Sequence, residues 1–417
     1  MRIISDFHIH SRFARATSKN LDVKKLAEGA GLKGLNLIGT GDFTHPVWLK
    51  ELKESLKEEE NGVYSYDNVS FIPTAEVVTI FESGGKTRKV HHLIHAPSFE
   101  ITEQINEAIG KYGNLKSDGR PILKIEAATL VEKIMDVSKD IFIYPAHAWT
   151  PFFGALGSKS GFDSLEDCYQ DQVKHIFALE TGMSSNPEMN WRLSKLDRFT
   201  PISNSDAHSA NPWRVGREAN VFDLKRPDYW GVVDAIKKRD KKRFLFTIEV
   251  EPSYGKYHFD GHRKCNVCLL PKQTKSLNGI CPKCKKKLTV GVLNRVEQLA
   301  DRPEGFRHKD SIDFKTLLPL YEVLSFSIGT GRLYSKKITE MNFRLIKEFG
   351  NEFNVLLDVD KGSLNGIAGE KATDAIIRAR ENKVRYMAGY DGEYGKPVFD
   401  DSIEIKNYDM NFQKTLD

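Results

Sequence analysis

The first 250 or so residues alternate short β-rich runs with helical patterns, and this alternation limits the possible folds more than any other feature. Between several of the β-rich runs lie helical patterns such as LDVKKLAEGAGLKG and EAATLVEKIMDVSKD. Such alternation predicts an α/β domain with a parallel sheet, open or closed into a barrel, whose chemistry lies at the carboxyl ends of the strands. The runs predicted as strands with their following loops are IISDFHIHS, GLNLIGTGD, VSFIPTAEVVTIF, HHLIHAPS, IFIYPAHA, HIFALET and FTPISNSDAHS.

The chain is long enough for more than one domain, since it has 417 residues and 40% of them are hydrophobic. We predict an α/β domain over 1–254, a cysteine module over 255–290 and a mostly helical domain over 291–417, where apolar spacings near 3.6 recur. No apolar run reaches the roughly 18 residues that span a membrane, and MRIISDFHIH lacks the pattern of a secretory signal, so we expect a cytoplasmic protein. The abundance of Lys and Glu is typical of a thermophile.

Histidines and acidic residues gather at the predicted strand ends. Alternate residues of a strand point to the same side, so His8 and His10 can reach one ion, as can Asp206 and His208. Imidazole with carboxylate suits zinc, manganese or iron, with magnesium as a further candidate ion, and more than four ligands indicate two or three ions. Ions about 3.5–4 Å apart activate a water and stabilise the oxygen that leaves a phosphate ester. The remaining candidates are Asp42, His45, Glu76, His91, His92, His95 and His147. Taken one at a time, a histidine at a strand end is also a common structural residue.

In their order along the chain, DFHIHS, TGD, an isolated Glu76, HHL, AHA and SDAH resemble the motifs of the PHP (polymerase and histidinol phosphatase) superfamily. The resemblance implies a distorted (β/α)7 barrel with a multinuclear metal site. One departure concerns the second motif, where Phe43 stands in place of the usual histidine, so Asp42 or the displaced His45 must fill that role. By motif, the implied metal ligands are His8, His10, Asp42, Glu76 as a bridge, His92, His147, Asp206 and His208. Among them, the implied catalytic residues are His8, His10, Asp42, Glu76 and Asp206.

Two cysteine pairs follow the α/β domain. Cys265-x-x-Cys268 and Cys281-x-x-Cys284, separated by twelve residues, predict a structural zinc held by four thiolates, with a redox role as the alternative. Thirteen lysines and arginines against five acidic residues give residues 255–310 a local charge of +8. Such a patch favours binding to a phosphate backbone, although a solvated basic face has the same composition. The basic candidates for DNA contact are Arg263, Lys264, Lys285, Lys286 and Lys287.

The order of the modules, with GKYHFDGHRKC before the cysteine pairs and GVLNRVEQLADRPEG after them, resembles the endonuclease Q family. This resemblance implies a DNA repair endonuclease that cuts the phosphodiester bond 5′ of hypoxanthine, uracil, xanthine or an abasic site. Such an enzyme extrudes the damaged base from the stack. Loop residues that we consider for the base pocket, with ordinary loop packing as the alternative, are Trp149, Phe152, Phe153, Ser184, Ser185 and Asn186.

Two other functions fit parts of the same sequence. A phosphomonoesterase of the histidinol phosphatase type shares the barrel, but it does not explain the cysteine module or the basic segment. A PHP module that binds nucleic acid without catalysis predicts missing ligands. Residues 413–416, QKTL, match the first half of a peptide that binds the DNA sliding clamp, which makes the clamp a candidate partner.

Overall fold

The computed structural model describes residues 1–328, 335–403 and residue 405. The seven runs predicted as strands all contain strands, and the two helical patterns between them are helices. The strands of this region are β1 (Arg2–Asp6), β2 (Leu37–Gly39), β3 (Lys57–Glu58), β4 (Tyr64–Tyr66), β5 (Val69–Ile72), β6 (Thr74–Ser83), β7 (Lys86–His95), β8 (Ile122–Leu123), β9 (Phe142–Pro145), β10 (Ala178–Glu180), β11 (Thr200–Ile202), β12 (Ala219–Asp223) and β13 (Phe244–Glu249). Its helices are α1 (Val23–Lys33), α2 (Pro46–Ser55), α3 (Phe99–Gly110), α4 (Ala127–Val137), α5 (Leu165–Tyr169), α6 (Pro187–Trp191) and α7 (Tyr229–Lys238).

Helix α1 shows how the local sequence sets the boundaries of these elements. The Asp22 side chain accepts a hydrogen bond from the Lys25 backbone N–H and so satisfies a donor that the first turn leaves open. Gly34 ends the helix with φ 96°, a left-handed conformation that favours glycine. The alternation of helix and strand therefore rests on capping signals as well as on hydrophobic periodicity.

The chain leaves the largest sheet after β13, forms the cysteine module, and returns to the same sheet afterwards. The cysteine module and the segment after it contain β14 (Asp260–His262), β15 (Val267–Leu269), α8 (Pro271–Ser276), α9 (Val292–Leu299) and β16 (Asp313–Thr316). Strand β16 pairs in parallel with β13, and Val292 and Val296 of α9 pack in the main hydrophobic core. Residues 292–316 thus pack with the α/β domain.

The chain described after β16 is mostly helical, as predicted. It contains α10 (Leu320–Ser327), α11 (Lys336–Phe349), α12 (Glu352–Leu357), α13 (Lys361–Ala368), α14 (Glu370–Arg380), β17 (Arg385–Met387) and β18 (Lys396–Val398). These helices enclose their own core, which includes Leu324, Leu345 and Ile376. A buried ion pair joins them to α1, since Lys33 Nζ lies 2.7 Å from Glu352 Oε1. No described helix has both the length and the apolar character that a membrane crossing requires.

The sheets are mixed, which differs from the parallel sheet that the sequence predicts. The largest has the order β16-β13-β12-β1-β2-β5-β4-β3, in which β12 pairs antiparallel with both β1 and β13. A second sheet has the order β8-β6-β7-β9, and β10 pairs with β11 in parallel. Among the residues that the structure describes, these ladders do not join into one closed barrel. The sequence signal for the β6–β7 hairpin is its two-residue turn, Gly84-Gly85, which the assignment of the strands did not use.

Candidate metal centre

The end of β1 meets the loop after β11, and this contact brings two predicted ligand motifs together. The His10 N–H donates to the Ala207 carbonyl at 2.9 Å, and the Ala207 N–H donates to the His8 carbonyl at 3.2 Å. His8 and His10 consequently point to the same side as Asp206, as the alternation of side chains in extended backbone requires. The two motifs lie about 200 residues apart in the chain yet form one wall of a site.

Four side chains form the first group of potential ligands. His8, His10, Glu76 and Asp206 each offer one ligand atom, and these atoms lie within 4.8 Å of one another. His8 Nε2 is 3.6 Å from both Glu76 Oε1 and Asp206 Oδ1. His10 Nε2 is 3.5 Å from Glu76 Oε2 and 3.0 Å from Asp206 Oδ1.

A second group shares the Glu76 carboxylate. Glu76, His91 and His147 also place ligand atoms within 4.8 Å of one another. His147 Nε2 lies 3.2 Å from Glu76 Oε1, and His91 Nδ1 forms a hydrogen bond with the same oxygen. Glu76 is therefore shared by the two groups of potential ligand atoms.

The donor atoms fit divalent metal ions. His8 Nε2 and Glu76 Oε2 are buried and have no hydrogen-bond partner among the described residues, which is costly for polar atoms that bind nothing. Burial raises the pKa of Glu76, but His91 and His8 outweigh it and hold that pKa well below its usual value. A charged carboxylate surrounded by imidazole nitrogens suits zinc, manganese or iron.

Buried carboxylates behind the two β1 histidines fix the orientation of their rings. Glu180 places both carboxylate oxygens 3.0 Å from His8 Nδ1. Asp42 Oδ1 lies 2.9 Å from His10 Nδ1, while its other oxygen accepts hydrogen bonds from the Ser11 N–H and hydroxyl. A carboxylate on Nδ1 sets the tautomer that leaves Nε2 available for a metal. Asp42, which its motif makes a ligand, thus lies behind His10 and outside both groups of mutually close ligand atoms.

The structure corrects the prediction for His92. Its Nδ1 lies 2.9 Å from the Tyr169 hydroxyl and its Nε2 lies 2.9 Å from the Thr79 hydroxyl, so both ring nitrogens are engaged in the core. Its neighbour His91 faces Glu76 instead. Adjacent residues of a strand point to opposite sides, so only one of the two histidines can reach the centre.

Three other predicted histidines lie at or outside the edge of the centre. His208 is at the edge, with Nε2 3.5 Å from Asp206 Oδ1 and its ring 4.6 Å from that of His10. His45 stacks on Phe13 with ring centroids 4.2 Å apart, and it belongs to neither group. His95 Nε2 lies 2.8 Å from the Tyr144 hydroxyl in the core.

The backbone is left-handed at three strand-end residues of this region. Asp42 has φ 49°, His147 has φ 29° and Asp206 has φ 48°. Non-glycine residues adopt this conformation at a cost, and such positions concentrate at functional sites.

Sequence reasoning missed Glu180 as a positioning residue and Arg120 as a neighbour of the centre. Glu180 ends the predicted strand HIFALE, so an acidic residue at a strand end was the available signal. Arg120 Nη1 lies 3.6 Å from Glu76 Oε2, but no motif surrounds it in the sequence. Its position depends on a long-range contact that a single sequence does not reveal.

Most of the loop residues considered for a base pocket are buried and already bonded. Trp149 is 1% exposed and donates its indole N–H to Asn190 at 2.8 Å. The Ser185 hydroxyl donates to the Thr181 carbonyl, and Asn186 caps α6. Ser184 is also buried. Phe152, with 45% of its surface exposed, is the member of this set that faces solvent.

In the cysteine module, three of the four predicted cysteines meet a histidine. The ligand atoms of His262, Cys265, Cys281 and Cys284 lie within 4.8 Å of one another, and His262 Nδ1 is 3.2 Å from Cys284 Sγ. Cys268, buried in the middle of β15, is not part of this group. A backbone hydrogen bond from Lys286 lowers the pKa of Cys284, which favours the thiolate that binds zinc.

His262 precedes Cys265 by the spacing that also separates the cysteines of each pair, and this H-x-x-C pattern was the signal that could have identified it. The basic candidates on the module are all exposed. They are Arg263, Lys264, Lys285, Lys286 and Lys287. The QKTL segment lies outside the described residues.

Two solved structures are similar to this chain over almost its whole length. One is the crystal structure of the lesion-specific endonuclease PfuEndoQ from Pyrococcus furiosus, with 33% identity, a TM-score of 0.86, and coverage of 99% of each chain. The other is endonuclease Q in complex with a 27-mer duplex that carries an abasic lesion at the active site, with 33% identity and a TM-score of 0.87. That match covers 98% of this chain and 100% of the other.

A family profile and two sequence relatives also match this chain. The profile of the MJ0043 C-terminal domain matches residues 319–383. Protein MJ0043 of Methanocaldococcus jannaschii is 34% identical over 60% of this chain, but the match spans only 31% of that protein. Protein YqxK of Bacillus subtilis is 26% identical over 95% of this chain and 99% of its own length.

Proposed function

The chain belongs to the endonuclease Q family, and we propose that it is a metal-dependent DNA repair endonuclease. Its reaction is hydrolysis of the phosphodiester bond on the 5′ side of hypoxanthine, uracil, xanthine or an abasic site, which leaves a 3′-hydroxyl and a 5′-phosphate. The observation that carries this proposal is the full-length similarity to an endonuclease Q bound to lesion-containing duplex. The two groups of ligand atoms that share Glu76 provide matching chemistry.

We propose that His8, His10, Glu76 and Asp206 hold one divalent ion and that Glu76, His91 and His147 hold a second, with His208 close enough to assist. Ions bound there lower the pKa of a water and neutralise charge on the phosphate. The chain itself orients the two histidine rings, because Glu180 accepts a hydrogen bond from the Nδ1–H of His8 and Asp42 accepts one from the Nδ1–H of His10. Both Nε2 lone pairs are thereby directed at the centre.

A distorted barrel of the PHP type is the arrangement that we propose for the sheets. Single backbone hydrogen bonds connect neighbouring ladders and support it. The Ala148 N–H donates to the Glu180 carbonyl at 2.9 Å, which connects β9 with β10. The His10 and Ala207 contact connects the loop after β11 with β1. The barrel would then be closed by one or two backbone hydrogen bonds at each junction, which are too few to form a ladder.

We propose a metal-dependent domain over 1–254, a zinc module over 255–290 and a helical DNA-binding domain over 291–417, whose first residues, 292–316, pack against the metal-dependent domain. We propose that the structural zinc is held by His262, Cys265, Cys281 and Cys284. Three sulfurs and one imidazole complete a tetrahedron, which leaves no open position for catalysis. The exposed lysines beside the zinc would contact DNA phosphates. A sliding clamp that binds through residues 413–416 remains a proposed partner.

End-labelled duplexes test this function. Each duplex carries one uracil, hypoxanthine, xanthine or abasic site, or normal bases, and is incubated with Mn²⁺, Mg²⁺, Zn²⁺ or EDTA. We expect one nick 5′ of the lesion that needs a divalent ion, and loss of nicking but not of DNA binding in Asp206→Ala. Release of phosphate from a phosphomonoester without any nick would indicate a phosphatase instead. Lesion binding without hydrolysis under every metal condition would indicate a non-enzymatic module.

A further inference from the structure

The loop between β11 and β12 carries Asp206 and His208 at its start and reaches the C-terminal helices at its tip. We call residues 206–217 the Trp213 loop, and we call helices α10 to α14 the helical core. The Trp213 side chain packs against the hydrophobic residues of that core, and its ring centroid lies 4.5 Å from that of Tyr321 on α10. A segment that supplies potential metal ligands is thus in direct contact with the C-terminal helices.

A buried lysine holds the tip of the same loop from α1. Lys33 Nζ donates to the Pro212 carbonyl at 2.9 Å and lies 2.7 Å from Glu352 Oε1 on α12. The two charged side chains are 1% and 0% exposed, so salt in the solvent screens their attraction little. Lys33 therefore connects α1, the tip of the Trp213 loop and the helical core.

Helix α1 also limits where the loop can lie. A Cβ on Gly29 would lie 1.9 Å from the Ala210 carbonyl oxygen, so a larger residue fits only if the loop backbone moves. A Cβ on Gly31, one of the exposed positions of α1, would meet no atom within 4 Å. The Trp213 loop is therefore in close contact with one face of α1 as well as with the helical core.

The base of the Trp213 loop is closed beside the metal centre. Arg217 donates two hydrogen bonds to the Ser205 carbonyl, at 3.2 and 3.0 Å, and the Gly216 N–H donates to Asp6 Oδ2 at 2.8 Å. These bonds join the two ends of the loop next to Asp206, whose backbone is left-handed with φ 48°. A residue other than glycine keeps that conformation only where its surroundings hold it. Since packed segments transmit strain, a displacement of the tip should move the Asp206 carboxylate.

A second loop of the metal centre reaches the same helices. Met183 packs against the helical core, and it follows Glu180 by three residues. The Glu180 carboxylate is the group that orients the His8 ring. The helical core thus contacts the loop of one potential ligand and the loop of the residue that positions another.

We propose that the helical core positions the metal centre through the Trp213 loop, with Trp213 and Lys33 as positioning residues for Asp206. The proposal rests on the metal-dependent function proposed above and gives the C-terminal helices a role besides contact with DNA. It predicts that a change at the tip of the loop weakens metal binding, although neither Trp213 nor Lys33 offers a metal ligand. Helices that only bind DNA would leave the metal affinity unchanged.

Binding of Mn²⁺ to the full-length chain in the absence of DNA tests the proposal, with electron paramagnetic resonance as the measure of free Mn²⁺. We expect Trp213→Ala to weaken Mn²⁺ binding about tenfold, the lower end of the loss seen when a residue that orients a metal ligand is removed. Trp213→Phe keeps an aromatic ring against Tyr321 and should recover most of the affinity. Leu345→Ala is the matched control, because it opens a cavity in the same helical core from α11 and leaves Trp213 in place.

Two glycine substitutions on α1 give a second test that leaves Trp213 intact. Gly29→Ala places a methyl group against the Ala210 carbonyl and should weaken Mn²⁺ binding as well. Gly31→Ala adds its methyl group to open space on the same helix and should bind Mn²⁺ as the wild type does. The melting temperature of each variant shows that it is folded at the temperature of the titration.

DNA binding in EDTA and nicking at saturating Mn²⁺ complete the comparison. Trp213→Ala should bind a lesion duplex in EDTA as the wild type does, and excess Mn²⁺ should restore most of its nicking rate. Wild-type Mn²⁺ affinity in folded Trp213→Ala and Gly29→Ala, or an equal loss of affinity in Leu345→Ala, would overturn the proposal. If the wild type binds Mn²⁺ but nicks no lesion duplex, the proposed function fails, while the Mn²⁺ affinities still decide the positioning role.

Discussion

Glu180 holds His8 through both of its carboxylate oxygens, each 3.0 Å from the ring Nδ1. The same carboxylate accepts hydrogen bonds from the His147 backbone N–H and from Asn204, so one side chain connects three loops of the metal centre. The substitution Glu180→Gln keeps the size of the side chain but weakens the hydrogen bond that selects the tautomer of His8. We expect metal affinity or activity to fall about 10–100-fold, the usual effect of losing such a partner.

A titration of nicking rate against Mn²⁺ concentration measures this effect. Excess metal should restore much of the rate, because the ligands themselves are intact. Glu132→Gln, at an exposed position, should match the wild type in the same titration. A variant with the wild-type metal dependence would mean that Glu180 does not position His8.

The two adjacent histidines of β7 should respond oppositely to substitution. His91→Ala removes a side chain that faces Glu76, so we expect loss of activity with little change in the melting temperature. His92→Ala leaves the Tyr169 and Thr79 hydroxyls without their partner in the core, which costs about 1–3 kcal/mol of stability. Thermal melts and the specific activity of the folded fraction distinguish the two. The reverse pattern would return His92 to the metal site.

The register of β7 explains why the sequence could not make this choice. Glu76 pairs with Leu93 across the hairpin, and His91 lies two residues from Leu93 on the same side of the sheet. His92 pairs with Val77 and points away. A shift of one residue would exchange the two histidines, and nothing in HHLIH fixes that register without the partner strand.

Zinc content tests the ligands of the cysteine module. We expect His262→Ala and Cys281→Ser to contain one zinc fewer per chain than the wild type and Cys268→Ser to match the wild type, because Cys268 lies outside the group of close ligand atoms. Metal analysis of the purified variants gives the count, and Co²⁺ substitution reports on sulfur and nitrogen ligation through its visible spectrum. Loss of zinc in Cys268→Ser with retention in His262→Ala would restore the four-cysteine site.

The lysines after Cys284 should contribute to DNA binding through charge. Each phosphate contact adds about 0.9 to the slope of log affinity against log salt, so replacing Lys285, Lys286 and Lys287 by glutamine should reduce that slope by up to about 2.7. Fluorescence anisotropy of a labelled duplex across a range of salt concentrations measures it. Replacing three exposed lysines of α11 and α7 (Lys336, Lys337 and Lys238) controls for net charge. Equal slopes in the two triple variants would make the basic run a solvated face.

Glu249 makes the stability of the fold depend on pH. Burial raises its pKa from 4.5 to about 7, and burial together with Glu249 raises the pKa of Glu218 well above its usual value. Between pH 4.5 and about 7 the folded chain keeps a proton on Glu249 that the unfolded chain releases. The free energy of unfolding should therefore decrease as pH rises, by up to about 1.4 kcal/mol per pH unit for one proton.

Chemical denaturation between pH 5 and pH 8 follows this trend. Glu249→Gln carries no titrating group at this position and should flatten the slope across that window. Glu132→Gln should leave the slope as it is in the wild type. If Glu249→Gln showed the same slope, the proton would have to reside elsewhere.

The sequence allowed much of the centre to be predicted because several of the candidate ligands occupy alternate positions at the ends of strands. His8, His10 and Asp206 were identified in this way, and the structure brings them together with Glu76. Contacts between distant loops were not accessible, since Arg120 reaches Glu76 only through the packing of Gly119 on Asp42. The cysteine spacing indicated a zinc site, but it did not indicate that His262 joins Cys265, Cys281 and Cys284 in the close group, because the spacing does not encode the pairing of β14 with β15.

Strand β16 returns the chain to the sheet that it left at β13, and the two strands run side by side from Phe246 and Asp313. The zinc module is therefore tethered at both ends to one rigid scaffold, unlike a domain on a single linker, which can rotate freely. A duplex bound to the module, as proposed above, would be held at a set distance from the metal centre. Disrupting either attachment, at β13 or at β16, would then increase the variation in the position of the cut.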